Sequence, residues 1–180
     1  MKELRKNLLT KKKPRILVFL HGTSIMHKNA LGLSRDEIIK QIKDDIDYLI
    51  SDFATYIPIG NVVKKLTSWQ NQGAKILYLS SHMSLENVIN DETVLRKYNF
   101  PKGPIFFRKD NDWNFPIKEA RPDILIEDNC ESIGGEHQMT YPNLKMELKS
   151  KFNSIVVKEF GGIDNLPDNI DELRKMSSLL

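Results

Sequence analysis

At 180 residues and 20.8 kDa, the chain fits one compact domain and is too short for two ordinary ones. Hydrophobic residues make up 40% and charged residues 28%, which argues against a mostly disordered chain. The longest apolar run, residues 16–20, is far below the roughly 20 residues of a transmembrane helix, and no signal-peptide pattern follows the basic N-terminus. A single cysteine, Cys130, excludes an intrachain disulfide and a multi-cysteine zinc site, so we expect a reducing, cytoplasmic setting.

Positive charge is concentrated at the N-terminus. Residues 1–15 hold seven basic residues and one acidic residue, a charge of +6, so the remaining 165 residues carry −3. A basic arm of this kind can touch nucleic acid or an anionic membrane, but it is also typical of a solvated leader, which we expect here. The body, residues 16–180, has no basic stripe with interleaved aromatic residues, so we expect one domain that binds neither nucleic acid nor membrane.

Beyond this arm, short apolar runs alternate with amphipathic segments. The runs that predict strands begin at Ile16, Ile76, Ile105, Ile124 and Ile155. They are rich in isoleucine, leucine and valine without polar alternation, which is typical of parallel strands covered by helices on both faces. The sequence therefore predicts a three-layer, Rossmann-like α/β fold with right-handed crossovers and a strand order of 5-4-1-2-3, numbered along the chain.

Between these runs, apolar residues recur at helical spacing. Ser34 and Glu37 form a capping box, and Gly73 is suited to end a helix. The predicted helices are one after Ser34 with Ile38, Ile39, Ile42, Ile46 and Leu49 on its apolar face, one from Val62 to Gly73, one from Ser84 to Leu95 and one from about Asp168.

Polar and titratable residues follow three of the predicted strands. They are His21, Gly22 and Thr23 after the first, Ser80, Ser81 and His82 after the second, and Glu127 and Asp128 after the fourth. In open parallel sheets, ligands bind beyond the carboxyl ends of the strands. We therefore expect His21, Ser80, Glu127 and Asp128 to meet in one pocket, with His82 nearby.

The chemistry of these residues leaves alternatives open. Adjacent carboxylates suit magnesium, which binds hard oxygen ligands and a phosphate oxygen, although acids in a turn also cap or solvate the next segment. The imidazole of His21 can serve as acid, base, nucleophile or metal ligand near neutral pH, or it can simply bond a backbone carbonyl. A zinc site of His21, His27 and His82 is a further alternative, without the helical His-x-x-x-His spacing that would support it.

Other polar groups near the predicted strand ends suit a phosphate. Ser80 offers a hydroxyl group and neighbouring backbone N–H groups to a phosphate oxygen. Lys118 and Arg121 precede the fourth strand, where either can balance phosphate charge or remain an ordinary surface cation.

In this order the motifs resemble the haloacid dehalogenase-like superfamily, over roughly residues 15–160. Residues 18–23 look like its first motif, Asp-x-Asp-Gly-Thr, residues 77–80 like its second, Lys118 or Arg121 like its third, and residues 124–129 like its fourth. The resemblance implies a Rossmann-like domain in which residues 22–57 form at most a small cap. It also implies phosphate binding by Gly22, Thr23, Ser80, Ser81 and Lys118, and magnesium binding by Glu127 and Asp128.

The first motif departs from the family pattern at both aspartates. Phe19 takes the place of the nucleophilic aspartate and His21 that of the second, the usual acid/base. Phenylalanine can neither attack phosphorus nor bind magnesium, so we expect no catalysis through an aspartyl-phosphate. The resemblance then implies a protein that binds a phosphorylated small molecule or a divalent metal. The alternatives are a hydrolase or phosphotransferase with His21 as nucleophile or general base beside magnesium on Glu127 or Asp128, and a structural module without a ligand.

Overall fold

The computed structural model describes residues 13–44 and 52–176. Residues 1–12 of the basic arm, and Ile46 and Leu49 of the first predicted helix, lie outside the described residues. The strands are β1 (Arg15–Phe19), β2 (Ile25–Met26), β3 (Ile57–Pro58), β4 (Lys75–Ser80), β5 (Ile105–Phe107), β6 (Ile124–Asp128) and β7 (Asn153–Val157). The α-helices are α1 (Arg35–Asp44), α2 (Val62–Asn71), α3 (Leu85–Lys97), α4 (Asn114–Ala120), α5 (Met146–Lys149) and α6 (Ile170–Leu173).

Five of these strands form one parallel sheet in the order β5-β4-β1-β6-β7. The prediction of a parallel α/β sheet is confirmed. The observed order differs in its labels from 5-4-1-2-3, because β2 and β3 enter the numbering and pair antiparallel in a separate sheet. Two-residue strands are too short to show any hydrophobic alternation, so the sequence analysis missed them. In space, β1 lies between the strands that contain Ile76 and Ile124.

Alternate residues of each central strand are buried on opposite faces of the sheet. In β1, Ile16 and Val18 pack in the cluster that includes α2 and α3 residues. Leu17 and Phe19 pack in a second cluster with α4 and α5. Because both faces are covered, the strand reads as a continuous apolar run, and the molecule has three layers.

The helix boundaries follow from local hydrogen bonds. The backbone N–H of Ser34 donates to the Glu37 carboxylate over 2.7 Å, and Ser34 Oγ accepts from the Glu37 N–H, which is the predicted capping box. Helix α6 begins at Ile170 rather than near Asp168, because the Asn169 side chain accepts two N–H groups of its first turn. In the described part of the chain, no helix combines the length and apolar character needed to span a membrane.

The pairing of β2 with β3 draws together the two ends of residues 22–57. Ile25 pairs with Pro58 and Met26 with Ile57. Between them, Ile38 and Ile42 of α1 pack in a small cluster with Ala30, separate from the two main clusters. The described parts of this segment, residues 22–44 and 52–57, are thereby held next to the end of β1.

The buried face of β6 can be tested with a pair of leucines. Leu125 is fully buried in β6, whereas Leu85 on the first turn of α3 is 65% exposed. We expect Leu125→Ala to lower the free energy of unfolding by about 2–5 kcal/mol. Leu85→Ala should stay within about 0.5 kcal/mol of the parent chain. Urea unfolding followed by circular dichroism measures both, and equal losses would contradict the position of β6 in the core.

Candidate functional site

A cavity of about 270 Å³ lies at the carboxyl edge of the sheet, where β1, β4 and β6 end. Much of its wall is apolar and aromatic, and includes Phe19, Ile25, Phe53, Tyr56, Trp113 and Phe160. Residues 22–57 supply Ile25, Phe53 and Tyr56 of this set. An apolar, concave site with a few polar groups at its base is the usual form of a small-molecule site.

The structure brings together part of the predicted set. The predicted residues that line the cavity are His21, Gly22, Ser81, His82 and Asp128. The remaining predicted residues, Thr23, Ser80, Lys118 and Glu127, are not part of the lining. Lys118 is exposed on α4, and Arg121 is exposed just after that helix ends. The positive charge that faces the cavity therefore comes from elsewhere.

His21 is held by hydrogen bonds at both ring nitrogens. Nδ1 lies 2.7 Å from Ser81 Oγ, and Nε2 lies 2.9 Å from Oδ1 of Asp91. Asp91 is fully buried on α3, so the imidazole joins the end of β1 to that helix. With both nitrogens engaged, His21 has no free lone pair with which to attack a substrate.

Asp91 was missed by the sequence analysis. Ser80 Oγ donates to its Oδ2 over 2.6 Å, which explains why Ser80 turns away from the cavity. Burial raises the pKa of Asp91, but the charge and hydrogen bond of His21 and the Ser80 hydroxyl outweigh it and hold that pKa below its ordinary value. The available signal was a carboxylate on the apolar face of α3, between Val88 and Val94, where an acid needs a partner.

His82 completes a group of three side chains around Asp91. The centroid of its ring lies 4.6 Å from the ring centroid of His21 and 4.2 Å from that of Phe53. Nε2 lies 3.6 Å from Asp91 Oδ1, beyond hydrogen-bond distance, and has no hydrogen-bond partner among the described residues. Burial, followed by repulsion from His21 and Arg108, lowers the pKa of His82 to about 4, although Asp91 acts in the opposite direction.

Glu127 and Asp128 point to different sides of β6, because successive side chains of a strand alternate. Asp128 lines the cavity, where it accepts hydrogen bonds from Thr23 Oγ1 (2.6 Å) and the Cys130 N–H (2.9 Å). The Glu127 carboxylate instead accepts the N–H groups of Thr140 (2.6 Å) and Tyr141 (2.9 Å). Burial raises the pKa of Glu127 to about 7. The structure thus brings Asp128 alone of this pair to the cavity.

The backbone at Gly22 passes very close to Asp128. Gly22 has a φ of +81°, in the left-handed region, and a Cβ atom there would lie 2.9 Å from Asp128 Oδ2. Its carbonyl accepts the N–H of Phe160 over 2.7 Å, which ties the end of β1 to the chain after β7.

A second cavity carboxylate, Glu159, was also missed by the sequence analysis. It is buried, and its oxygens accept the backbone N–H and the hydroxyl of Ser132 over 2.6 and 2.7 Å. Burial raises the pKa of Glu159 above its ordinary value. The available signal was its position just after the fifth predicted strand, because ligands bind beyond the carboxyl ends of parallel strands.

Arg108, which directly follows β5, supplies the positive charge of the cavity wall. Its Nε donates to the Ser81 carbonyl over 3.1 Å, and its guanidinium lies 4.9 Å from the Trp113 ring centroid. Within residues 13–44 and 52–176, no carboxylate comes within ion-pair distance of Arg108. Burial lowers the pKa of this guanidinium, as expected for a cation held partly away from water. Its position directly after a predicted strand was the signal that could have identified Arg108, because ligands bind beyond the carboxyl ends of parallel strands.

Comparison with known proteins establishes the fold only. No protein-family model and no curated protein matches the sequence. Two solved structures, of the Pnkp1/Rnl/Hen1 complex and of the Pnkp1/Rnl/Hen1 RNA repair complex, are each 18% identical with a TM-score of 0.52. Each match covers 83% of this chain but 47% and 44% of the other, so the chain spans about half the length of those proteins. A haloacid dehalogenase-like hydrolase from Bacteroides fragilis matches at 12% identity and a TM-score of 0.46, over 82% of this chain and 98% of that one.

The lowered pKa of His82 predicts a pH-dependent stability. At pH values between the folded pKa of about 4 and the ordinary 6.5, the unfolded chain binds more protons than the folded chain. The contribution of neutral His82 to the free energy of unfolding is therefore fully present above about pH 6.5 and is lost as the pH falls toward 4. From pH 7 to pH 5, this group should lower the free energy of unfolding by about 2 kcal/mol, since one pKa unit corresponds to about 1.4 kcal/mol. Urea unfolding at both pH values measures the loss.

Two variants isolate the contribution of His82. His82→Gln should reduce the difference between the two pH values by about 2 kcal/mol, whereas His137→Gln, at an exposed position, should leave it unchanged. An identical pH dependence in the parent chain and in His82→Gln would show that His82 does not titrate in this way.

Proposed function

We propose that the chain binds a small phosphorylated molecule with an apolar body in the cavity at the end of the sheet. The observation that carries this proposal is Arg108, a half-buried guanidinium that faces the cavity without a carboxylate partner among the described residues. Burial of an unpaired cation is costly, and an anionic group of a ligand offsets that cost with charge-assisted hydrogen bonds.

The rest of the wall suits the apolar part of such a ligand. Phe53 and Tyr56 lie on one side, and Phe19 and Trp113 meet edge to face with ring centroids 5.8 Å apart. Aromatic walls contribute large contact areas and favour flat or apolar groups. A ligand that combines an anion and an apolar body therefore fits this cavity better than a small inorganic ion does.

Magnesium is part of the same proposal. Asp128 and Glu159 are both carboxylates of the cavity lining, and they repel a phosphate unless a cation lies between them and the ligand. Asp128 suits this role, because magnesium commonly takes one or two carboxylates, several waters and a phosphate oxygen. No step in this scheme uses an aspartyl nucleophile, because the resemblance to the haloacid dehalogenase-like first motif assigns Phe19 to the position of that aspartate. We accordingly infer a divergent haloacid dehalogenase-like protein that binds rather than hydrolyses.

The binding proposal can be tested with phenylphosphonate, an aromatic anion with no ester bond to hydrolyse. Isothermal titration with magnesium present should give saturable binding, weakened at least tenfold in Arg108→Gln, since a hydrogen bond to a charged group contributes about 1.5–3 kcal/mol. The affinity of Arg108→Lys, which keeps the charge but not the bidentate geometry of the guanidinium, should lie between those of the parent chain and Arg108→Gln.

Lys109→Gln is the matched control, because Lys109 is the neighbouring exposed cation and does not line the cavity. It should bind phenylphosphonate as the parent chain does. Equal affinity in the parent chain and Arg108→Gln, or no binding by the parent chain, would reject the proposal.

A second candidate, hydrolysis with His21 as general base, is favoured by one contact. Nδ1 of His21 lies 2.7 Å from Ser81 Oγ at the cavity wall, so a water that displaces this hydroxyl could give its proton to Nδ1 as the water oxygen attacks phosphorus and the alcohol of the ester leaves. Asp91, which is bonded to Nε2, would stabilise the resulting imidazolium.

Release of nitrophenolate from 4-nitrophenyl phosphate with magnesium tests this candidate. Any turnover should fall by about 100-fold or more in His21→Gln, the usual contribution of a general base, without an acid-labile acyl-phosphate on the chain. Turnover that persists in His21→Gln would exclude the general-base role. Absence of turnover in the parent chain leaves the binding function as the conclusion.

A further inference from the structure

We propose that His21, His82 and Asp91 form a binding site for a divalent transition metal of the zinc type. The site lies at the ends of β1 and β4 and is built from residues other than Asp128. It goes beyond the proposed binding of an organic anion, because it requires neither Arg108 nor a phosphorylated ligand.

The donor atoms are already close to the spacing of a tetrahedral site. Oδ1 of Asp91 lies 2.9 Å from His21 Nε2 and 3.6 Å from His82 Nε2, and the three donor atoms all lie within 4.8 Å of one another. Zinc–nitrogen and zinc–oxygen bonds of about 2.0–2.1 Å place neighbouring tetrahedral donors roughly 3.3 Å apart. Small side-chain rotations therefore suffice to bring the three atoms around one ion.

The unpartnered nitrogen of His82 is an independent observation that points to a ligand. The His82 side chain is only 8% exposed, yet Nε2 has no hydrogen-bond partner in the described part of the chain. A buried polar atom without a partner costs about 1–3 kcal/mol, and such atoms are rare in folded proteins. A metal ion beside Asp91 would give this lone pair its missing partner.

The groups behind the three donors match the outer contacts of metal sites. Ser80 Oγ donates to Oδ2 of Asp91, which leaves Oδ1 for the ion. With a metal on Nε2, the His21 proton moves to Nδ1 and is donated to Ser81 Oγ, 2.7 Å away. Metal-bound histidines nearly always donate their second ring N–H in this way, and buried ligating carboxylates are themselves hydrogen-bonded.

The donor types select the class of metal. Two imidazole nitrogens and one carboxylate oxygen suit Zn²⁺, Co²⁺ or Ni²⁺, whereas Mg²⁺ prefers oxygen ligands. His27 also lines the cavity but does not belong to this group of close donors, and it accepts the Asn29 N–H at Nδ1. The three-histidine alternative is thus replaced by a set of two histidines and an aspartate.

The fourth coordination position of the proposed site would open toward the cavity. His21 and His82 both line the cavity, whereas Asp91 lies behind them. Three protein ligands with an open fourth position are typical of zinc sites that bind water or an external ligand. Because one carboxylate leaves a divalent ion with a net positive charge, that position favours an anionic ligand from the cavity.

The test uses the full chain, freed of any histidine tag and stripped of metal with a chelator. Titration calorimetry should show one Zn²⁺ per chain, and Co²⁺ should develop the strong visible absorption of four-coordinate cobalt. His82→Gln should weaken Zn²⁺ binding by roughly 100-fold or more, because loss of an outer-shell partner alone costs about 10–100-fold. This variant loses no hydrogen bond at Nε2, so it should fold, which circular dichroism checks.

Two other histidines provide the controls. His137→Gln, at an exposed position, should bind Zn²⁺ as the parent chain does, and so should His27→Gln. The proposal is overturned if the parent chain takes up no stoichiometric Zn²⁺, if His82→Gln binds it with unchanged affinity, or if His27→Gln loses as much affinity as His82→Gln. All of these readouts are obtained without phenylphosphonate, so failure here is distinguishable from failure of the anion-binding proposal.

Discussion

The buried carboxylate of Asp91 is the group on which the candidate site depends. It is fully buried on α3, and its two oxygens take a hydrogen bond from Ser80 at the end of β4 and one from His21 beyond β1. A buried charge must be paired or hydrogen-bonded, so these contacts fix the orientation of the helix, the two strand ends and the imidazole together. This arrangement also places His82 beside Oδ1 of Asp91, the oxygen that His21 contacts, since Ser80 Oγ accepts the backbone N–H of His82.

The polar base of the cavity has two chemically different halves. On one side, imidazole groups gather around Asp91, and on the other, Asp128 and Glu159 are held by hydroxyl and backbone N–H donors. Arg108 belongs to the first side, through its bond to the Ser81 carbonyl. The first half therefore combines imidazole nitrogens, one carboxylate and a guanidinium, while the second offers two carboxylates. Without a cation, an anionic group is better accommodated beside Arg108 than beside the two carboxylates, which gives the cavity a preferred orientation for a ligand with one anionic end.

The sequence could predict the sheet because its strands are buried on both faces and so read as continuous apolar runs. His21, His82 and Asp128 could be predicted as cavity residues, because each lies at the end of a central strand. Ser80, Glu127 and Asp128 are all strand residues, and a pattern of residue types does not show that only the last of them faces the cavity while alternation and local hydrogen bonds turn the other two away. Asp91 reaches the site from a helix, where only tertiary packing brings its carboxylate to two strand ends. Glu159 and Arg108 follow the outer strands β7 and β5, where residue types alone do not show whether a side chain faces the cavity or the solvent.

The close approach of Gly22 to Asp128 limits how this cavity can vary. Because a Cβ atom there would lie 2.9 Å from a carboxylate oxygen that already holds Thr23, even alanine would have to displace the acid or distort the loop. The aromatic walls impose no such limit, since side chains such as Phe53 can be exchanged for others of similar volume. Redesign of this protein for new ligands should therefore treat position 22 as invariant and the aromatic wall as adjustable. Libraries that vary this wall should keep Trp113, because its ring centroid lies 4.9 Å from the guanidinium of Arg108.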